Sequence, residues 1–135
     1  MTIRTRALPE PWQAEFTNGV QTGIADTSKQ GVGGDGGLRP HELLEAALAT
    51  CLTLTARLEL ARQGVTDHAG VGVRVDVVRE ETVSRFRYAL ALPSHLEPYR
   101  DGLAAHLDRC PVRTTLSKPL SFEADHPDTE GNDDG

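Results

Sequence analysis

The longest pattern of apolar positions runs from Leu43 to Leu60 and covers most of a helical wheel. Pro40 stands where a first helical residue is expected, because its missing N–H costs nothing there and its fixed φ is already helical. Arg62 and Gly64 supply the cation and the left-handed residue that are typical of a helix C-terminus. The pattern therefore predicts one long helix from Pro40 to Arg62, and its nearly all-round apolar surface predicts a buried central helix.

Shorter alternating patterns predict strands on both sides of this helix. Residues 12–16 and 20–24 alternate around Asn18-Gly19, which is the strongest short-range signal for a β-hairpin. Residues 71–78 and 83–92 also alternate, so they predict an antiparallel pair with one buried face. The arm that precedes the hairpin shows no periodicity and is predicted to be irregular.

The chain then predicts two further helices. Ser94 and Glu97 have the spacing of a capping box, and the helix that they begin is predicted to run to about Arg109. Cys110 directly precedes Pro111, so it is predicted to be the N-cap of a short third helix.

The order of elements is an N-terminal hairpin, a long buried central helix, an antiparallel sheet, a second helix with a Cys-Pro turn, and a last strand over residues 120–124. This order predicts an α+β fold in a single domain over residues 1–124 of the 135-residue chain. Residues 125–135 carry five acidic side chains and no apolar one, so a disordered tail is predicted there. Because so small a domain cannot cover a helix that is apolar on all sides, we expect a homodimer with the central helices in contact.

Composition and charge narrow the range of partners. The formal net charge is −6 and no basic stripe is present, so nucleic-acid binding is not expected. No apolar run reaches membrane-spanning length, and no secretory signal is recognisable, so we expect a cytoplasmic protein without a membrane partner. The glycine-rich segment 31–37 lacks the Gly-Lys-Ser/Thr ending of a phosphate-binding loop and is expected to be a flexible lead-in to the helix.

Candidate chemistry rests on two cysteines, Cys51 in the middle of the long helix and Cys110 before Pro111. In a chain without a secretory signal, such a pair is redox-active, metal-binding or simply buried. Metal binding is not expected, because no CxxC or HxxxH spacing is present, and no other cofactor is implied. The residues alone leave redox chemistry and simple burial open.

The two cysteine segments together resemble the OsmC/Ohr family of thiol-dependent peroxidases. The matching segments are Gly36-Gly-Leu-Arg-Pro-His-Glu-Leu-Leu-Glu-Ala-Ala-Leu-Ala-Thr-Cys51 and Cys110-Pro-Val-Arg-Thr-Thr-Leu116. The resemblance implies an OsmC-like fold and an intertwined homodimer whose sites lie at the subunit interface. It also implies the reduction of organic or lipid hydroperoxides, with Cys51 as the peroxidatic thiol, Cys110 as the resolving thiol, and a dithiol reductant such as a lipoyl protein.

A peroxidatic thiol must be ionised, and Cys51 lies too far from either helix end to gain from the helix dipole. In the hydroperoxide-resistance branch of the family, the peroxidatic thiol is activated by an arginine from the hairpin region and by a glutamate ten residues before the cysteine. Here that position is His41, with Glu42 next and Arg39 as the best cation near the helix start. Ten residues span ~15 Å of helix, so these supporting residues are expected to act from the partner subunit.

The peroxide pocket is expected to be apolar and to include Leu44, Leu48, Leu52 and residues across the interface, which favours alkyl peroxides over hydrogen peroxide. The alternative is a non-catalytic OsmC-like dimer, a stress-response or small-molecule-binding protein whose cysteines are incidental. The position of the two thiols discriminates between these functions, because Cα atoms well beyond ~7 Å apart, without a mobile element, exclude a disulfide within the chain.

Overall fold

The computed structural model describes residues 2–126, so residues 127–135 of the predicted acidic tail lie outside the described residues. The chain divides into two compact units, which are described one after the other. Among the described residues, the first comprises those up to Leu43 and those from Ser121 onwards, and the second comprises Leu44–Leu120. Their helices and antiparallel sheets confirm the prediction of a mixed α+β chain.

The first unit contains a three-stranded antiparallel sheet of β1 (Arg4–Ala7), β2 (Ala14–Thr17) and β3 (Thr22–Ala25). Strands β2 and β3 form the predicted hairpin. Asn18 closes its turn, because its side-chain oxygen accepts two backbone N–H groups at 2.9 and 2.8 Å. The hairpin signal in the sequence was therefore sufficient to locate these strands.

Strand β1 shows that the prediction of an irregular N-terminal arm is wrong. All four of its residues are exposed, so the strand has no apolar alternation that a sequence pattern could reveal. It is defined by its backbone ladder with β2 and by an ion pair in which the Arg6 Nε lies 3.0 Å from the Glu15 Oε1. Cross-strand pairing, rather than burial, stabilises β1.

The glycine-rich segment folds around the buried carboxylate of Asp26. The two carboxylate oxygens accept the N–H groups of Thr27 at 2.7 Å and of Gly36 at 2.9 Å. These hydrogen bonds hold the pKa of the Asp26 carboxyl below its usual range. The segment also contains a short hairpin of β4 (Ser28–Lys29) and β5 (Val32–Gly33), which the prediction of a plain lead-in missed.

The long helix α1 (Pro40–Arg62) has the predicted bounds. It ends at Gly64, whose φ of 87° is in the left-handed region. There the N–H groups of Gly64 and Val65 donate to the carbonyl oxygens of Ala61 and Leu60 at 3.0 and 2.9 Å. This is the glycine-based C-cap that the sequence predicts.

Within the chain, α1 buries one face rather than its whole surface. The buried apolar residues of this face are Leu48, Leu52, Ala56 and Leu60. Leu44, Leu54 and Leu58 remain 44, 56 and 72% exposed. The prediction of a buried central helix therefore holds for one face only, and residues 2–126 leave these three leucines partly uncovered.

Strands β6 (Gly72–Arg79) and β7 (Ser84–Ala91) pair antiparallel along their whole length, as predicted. Their partly buried apolar side chains that pack against the core are Val73, Val75, Phe86 and Leu90. Glu45 of α1 accepts the N–H of Val77 at 3.0 Å, so its carboxylate satisfies a backbone donor of β6.

The second helical region consists of three pieces: a 3₁₀ helix Ser94–Tyr99, α2 (Arg100–His106) and a 3₁₀ turn Leu107–Arg109. The capping-box prediction is wrong, because the N-cap is Pro93 and no side chain caps the helix. Glu97 instead forms an ion pair with Arg100 at 2.8 Å. Pro98 lies inside this first piece and donates no backbone N–H to it.

The helix α3 (Pro111–Ser117) is the last regular element among residues 2–126. The strand predicted at 120–124 is absent there, and Leu120 and Phe122 are 57 and 92% exposed. An alternating pattern forms a strand only where a neighbouring strand supplies the ladder hydrogen bonds, and none in the described part of the chain does so.

Glu59 lies near the C-terminus of α1, and its surroundings lead us to expect that the stability of the fold decreases in acid. The residue is 6% exposed and accepts hydrogen bonds from Arg62 at 2.6 Å and from Gln63 at 2.8 Å. These bonds lower the pKa of Glu59 from 4.5 to about 2. Because the pKa is lower in the folded state, Glu59 stabilises the fold above about pH 4.5, and this contribution is lost as the pH falls towards 2.

We expect Glu59→Gln to remove the pH-dependent stabilisation that Glu59 provides. The urea midpoint of the variant should then fall less steeply between about pH 5 and pH 2 than that of the unmodified chain. The matched control is Glu81→Gln, in the exposed turn between β6 and β7, which should leave the acid dependence unchanged. The same acid dependence in Glu59→Gln and in the unmodified chain would contradict this account of Glu59.

Candidate functional site

Cys51 lies in the middle of α1, at the border of the buried face. It follows Leu48 by three positions and directly precedes Leu52, so the thiol lies beside the core leucines of the helix. The residue is partly buried and packs against the core. Its sulfur is thus held on a rigid helix while the residue keeps some contact with solvent.

Cys110 is positioned by the turn that leads into α3. Its N–H donates to the carbonyl oxygen of Leu107 at 3.0 Å, and its own carbonyl oxygen accepts the N–H of Thr114 at 3.0 Å. With Pro111 at the first helical position, Cys110 is the N-cap of α3, as predicted. The residue is 0% exposed.

The structure brings the two cysteine side chains together, and both are free thiols. Burial raises the pKa of the Cys110 thiol, and its hydrogen bond with Cys51 raises it further. The backbone N–H groups of Arg113 and Val112 act in the opposite direction, but the net pKa is raised. A disulfide between them would require an S–S bond of about 2.05 Å.

A pocket of about 260 Å³ is lined in part by residues three positions from each cysteine in the sequence. It is enclosed by α1, by alternate residues of β7 and by one face of α3. The main lining residues are Leu48, Phe86, Tyr88, Arg113, Leu116 and Ser117. Leu48 lies one turn before Cys51 on α1, and Arg113 lies one turn after Cys110 on α3, whereas neither cysteine is among the lining residues.

The three leucines predicted for the peroxide pocket lie in different environments. Leu48 lines the pocket described above. Leu52 is 0% exposed and belongs to the core, whereas Leu44 is 44% exposed and is not among the residues that line this pocket. A role of these leucines in binding a peroxide stays a prediction.

The residues predicted to support Cys51 belong to the first unit, at the start of α1. The N–H of Arg39 donates to the Glu42 Oε1 at 2.8 Å, and the Arg39 guanidinium lies 3.9 Å from the same oxygen. The Arg39 guanidinium also lies 3.6 Å from Asp35. His41 is exposed. Helix capping is thus the role that the structure gives to Arg39 and Glu42, and their action on Cys51 stays a prediction.

The sequence analysis missed Arg113 and the aromatic side of the pocket. Arg113 belongs to the Cys-Pro-Val-Arg segment, three positions after the N-cap, and this spacing places it on the turn next to Cys110. Phe86 and Tyr88 alternate along β7, so they share one face of the strand. These signals are present in the sequence, but the proximity of β7, α1 and α3 is not.

Between residues 2 and 126, no three or more His, Cys, Asp or Glu side chains lie close enough to hold a metal ion. None of the helices there is long and apolar enough to cross a membrane. The cysteine pair and the nearby pocket together form the candidate functional site.

The fold is thus that of an α+β protein, and its candidate site is the pair formed by a partly exposed helical thiol and a buried Cys-Pro N-cap. The family model described as OsmC-like protein matches residues 33–125, a stretch that includes both cysteines. The chain belongs to the OsmC-like family. No curated protein matches the sequence.

Several solved structures have a similar fold. A Psychrobacter arcticus protein, described as a candidate osmotic stress induced and detoxification response protein, has a TM-score of 0.69 and 18% identity over 95% of this chain and 90% of its own. An organic hydroperoxide resistance protein OsmC from Legionella pneumophila has a TM-score of 0.56 and 19% identity over 87 and 90%. The organic hydroperoxide resistance protein OhrB of Bacillus subtilis has a TM-score of 0.54 and 15% identity over 86 and 89%. Identities this low establish the fold alone.

Proposed function

We propose that this protein is a thiol-dependent peroxidase that reduces organic hydroperoxides to alcohols, with Cys51 as the attacking thiol and Cys110 as the resolving thiol. The observation that carries the proposal is the contact between two free thiols of unequal character. Cys51 is partly exposed, whereas Cys110 is fully buried and its pKa is raised by burial. Membership of the OsmC-like family supports the proposal, as does the similar fold of two proteins named for organic hydroperoxide resistance.

The order of attack follows from burial. Cys110 has no exposed surface and keeps its proton at neutral pH, so it is poorly placed to meet a peroxide first. Its S–H can instead donate a hydrogen bond to the sulfur of Cys51. The thiolate is the nucleophilic form, so attack falls to Cys51.

The reaction balances with these two thiols and one dithiol. The Cys51 thiolate forms an S–O bond as the O–O bond of the peroxide breaks, and the departing alkoxide takes a proton to become the alcohol. Cys51 is now a sulfenic acid. Cys110 attacks its sulfur, so an S–S bond forms and the hydroxyl leaves as water. A dithiol then reduces this disulfide by exchange and is itself oxidised to a disulfide.

The protein is further proposed to be a homodimer in which the exposed leucines of α1 are covered by a second copy. Leu44, Leu54 and Leu58 form the uncovered apolar part of the helix that supports this assembly. His41 and Glu42 precede Cys51 by ten and nine positions on α1, so an action on Cys51 would come from the partner subunit. The need for two reduced thiols fits the cytoplasm, where thiols are kept reduced.

The alternative function is that of a non-catalytic dimer that binds a small molecule. The pocket beside Cys51 favours this alternative, because it would accept a ligand whether or not the thiols react.

Steady-state turnover distinguishes the two functions. With dithiothreitol as reductant, we expect kcat/KM for cumene hydroperoxide to exceed that for hydrogen peroxide by about tenfold or more, because the partly exposed Phe86 and Leu116 can contact an organic group that hydrogen peroxide lacks. Protein whose thiols have been alkylated is the control and should be inactive. If the protein consumes peroxide no faster than dithiothreitol does alone, the result would contradict the peroxidase function. The non-catalytic binding of a small molecule would then remain as the function.

A further inference from the structure

We propose that the pocket between α1, β7 and α3 binds a phosphate group, carried by inorganic phosphate or by a small phosphate monoester, through Arg113 and the hydroxyls of Ser84 and Tyr88. The proposal does not depend on the peroxidase, because neither cysteine is among the residues that line this pocket. Three observations support it: the donors in the lining, the loose ion pair that Arg113 now forms, and the directions from which the donors reach the pocket.

The lining of the pocket is rich in hydrogen-bond donors. Its polar residues are Ser84, Tyr88, Arg113 and Ser117, and no carboxylate is among the lining residues. The Ser117 hydroxyl already donates to the carbonyl oxygen of Arg113 at 2.7 Å. The hydroxyls of Ser84 and Tyr88, by contrast, pair with no other group in the described part of the chain. A cation with two unpaired hydroxyls and no carboxylate favours an anionic ligand that has several acceptor oxygens.

The present partner of Arg113 leaves its guanidinium available. The Arg113 Nη2 lies 3.5 Å from the Asp108 Oδ1, and the two side chains are 38 and 65% exposed. Ion pairs that are long and exposed contribute little, and a guanidinium has five N–H donors in a planar fork. A phosphate can therefore accept two N–H groups of Arg113 in a bidentate contact, either beside Asp108 or in its place.

The donors reach the pocket from two different elements. Ser84 and Tyr88 are alternate residues on one face of β7, whereas Arg113 lies on α3. A carboxylate has two oxygens, and a bidentate contact with a guanidinium uses both of them. A phosphate has at least three acceptor oxygens, so it can accept from α3 and from β7 at the same time. The arrangement therefore favours a phosphate over a carboxylate.

The size of the pocket allows the phosphate to carry a small organic group. An inorganic phosphate fills only part of the volume of about 260 Å³. Phe86 and Leu116 are partly exposed and belong to the same lining, so they can contact an organic group next to the phosphate. Inorganic phosphate and a phosphate monoester thus share the same contacts with Arg113, and they differ in their contacts with Phe86.

The test is a ³¹P NMR titration of inorganic phosphate with the protein at fixed ionic strength, in a buffer without sulfate. The unmodified protein should bind phosphate saturably and at least about tenfold more tightly than acetate, which is measured as a competitor. Arg113→Gln should weaken phosphate binding at least about tenfold, because hydrogen bonds to charged groups are the stronger ones, and Arg113→Lys should retain part of the affinity. Ser84→Ala and Tyr88→Phe should each weaken it about threefold, because each removes one neutral donor.

Arg87→Gln is the matched control, because Arg87 lies between Phe86 and Tyr88 on β7 but points to the other face of the strand, outside the pocket lining. It removes the same charge from the chain and should leave phosphate binding unchanged. An equal loss of affinity in Arg87→Gln and Arg113→Gln would overturn the site, because binding would then reflect general charge attraction. Acetate binding as tight as that of phosphate, or phosphate binding that does not saturate, would also overturn it.

Phenyl phosphate, titrated in the same way, distinguishes the two sources of the phosphate group. Binding that depends on Arg113 and is tighter than that of inorganic phosphate would support the site and assign it to a monoester. Binding of inorganic phosphate that depends on Arg113, with phenyl phosphate no tighter, would support the site and assign it to the free ion. Binding of both ligands that is insensitive to Arg113→Gln would overturn the site.

Discussion

Cys51→Ser should lower the turnover of cumene hydroperoxide by at least about three orders of magnitude, because it removes the sulfur that forms the S–O bond. Cys110→Ser should also lose steady-state turnover, but for another reason, since its Cys51 sulfenic acid has no thiol with which to condense. The two variants are therefore expected to differ in a single turnover. With one equivalent of peroxide, Cys110→Ser should lose its one remaining thiol rapidly, whereas Cys51→Ser should keep the thiol of Cys110.

This difference is measured by counting free thiols within the first seconds after mixing. Thr50→Ser, an exposed position on the same helix, is the control and should retain full turnover. Rapid thiol loss in Cys51→Ser with a stable thiol in Cys110→Ser would reverse the proposed order of attack.

Leu52→Ala should destabilise the folded chain by about 3–5 kcal/mol, the second large effect that we expect. Leu52 is 0% exposed and belongs to the core that also contains Leu60, Leu103 and Cys110. Truncation removes apolar contacts and leaves a cavity that a rigid helix closes only in part. The measurement is the free energy of unfolding from urea denaturation under reducing conditions.

Leu58→Ala is the matched control on the same helix, because Leu58 is 72% exposed within the chain. At low protein concentration it should cost less than about 1 kcal/mol. If a second copy covers this leucine, its cost should grow as the protein concentration rises. A cost for Leu52→Ala no larger than that for Leu58→Ala at low concentration would contradict the assignment of the core.

The elements that sequence patterns predicted well are those defined by local signals. Helix α1 was predicted to its ends because Pro40 and Gly64 are strong terminal signals and act within one turn. Strands β6 and β7 were located because their alternating residues have one half-buried face. In both cases the information lies within a few residues of the element itself.

The predictions that failed depend on distant partners or on a competing residue. Strand β1 is exposed and defined by its pairing with β2, whereas residues 120–124 alternate but have no pairing strand in the described chain. The capping box at Ser94 failed because Glu97 pairs with Arg100 instead. A capping pattern predicts a helix start only when its side chains have no better partner.

The candidate site was only partly accessible to sequence reasoning. The two cysteines were selected by their motifs. The position of Cys110 at the N-terminus of α3 favours ionisation of its thiol, because the helix dipole stabilises negative charge there. In the structure, however, the pKa of the Cys110 thiol is raised. Burial among elements distant in sequence outweighs the few N–H groups of a seven-residue helix. Arg113 was missed for a similar reason, because its place in the pocket lining depends on the proximity of β7 and α1.

The most direct test of the central claim is peptide mass spectrometry of the reduced protein after one equivalent of cumene hydroperoxide, with alkylation of the remaining thiols. We expect one alcohol formed per chain, two thiols lost, and a disulfide that joins the Cys51 and Cys110 peptides. Full alkylation of both cysteines with the peroxide still present would contradict the account, and the cysteines would then be incidental to a protein that binds small molecules.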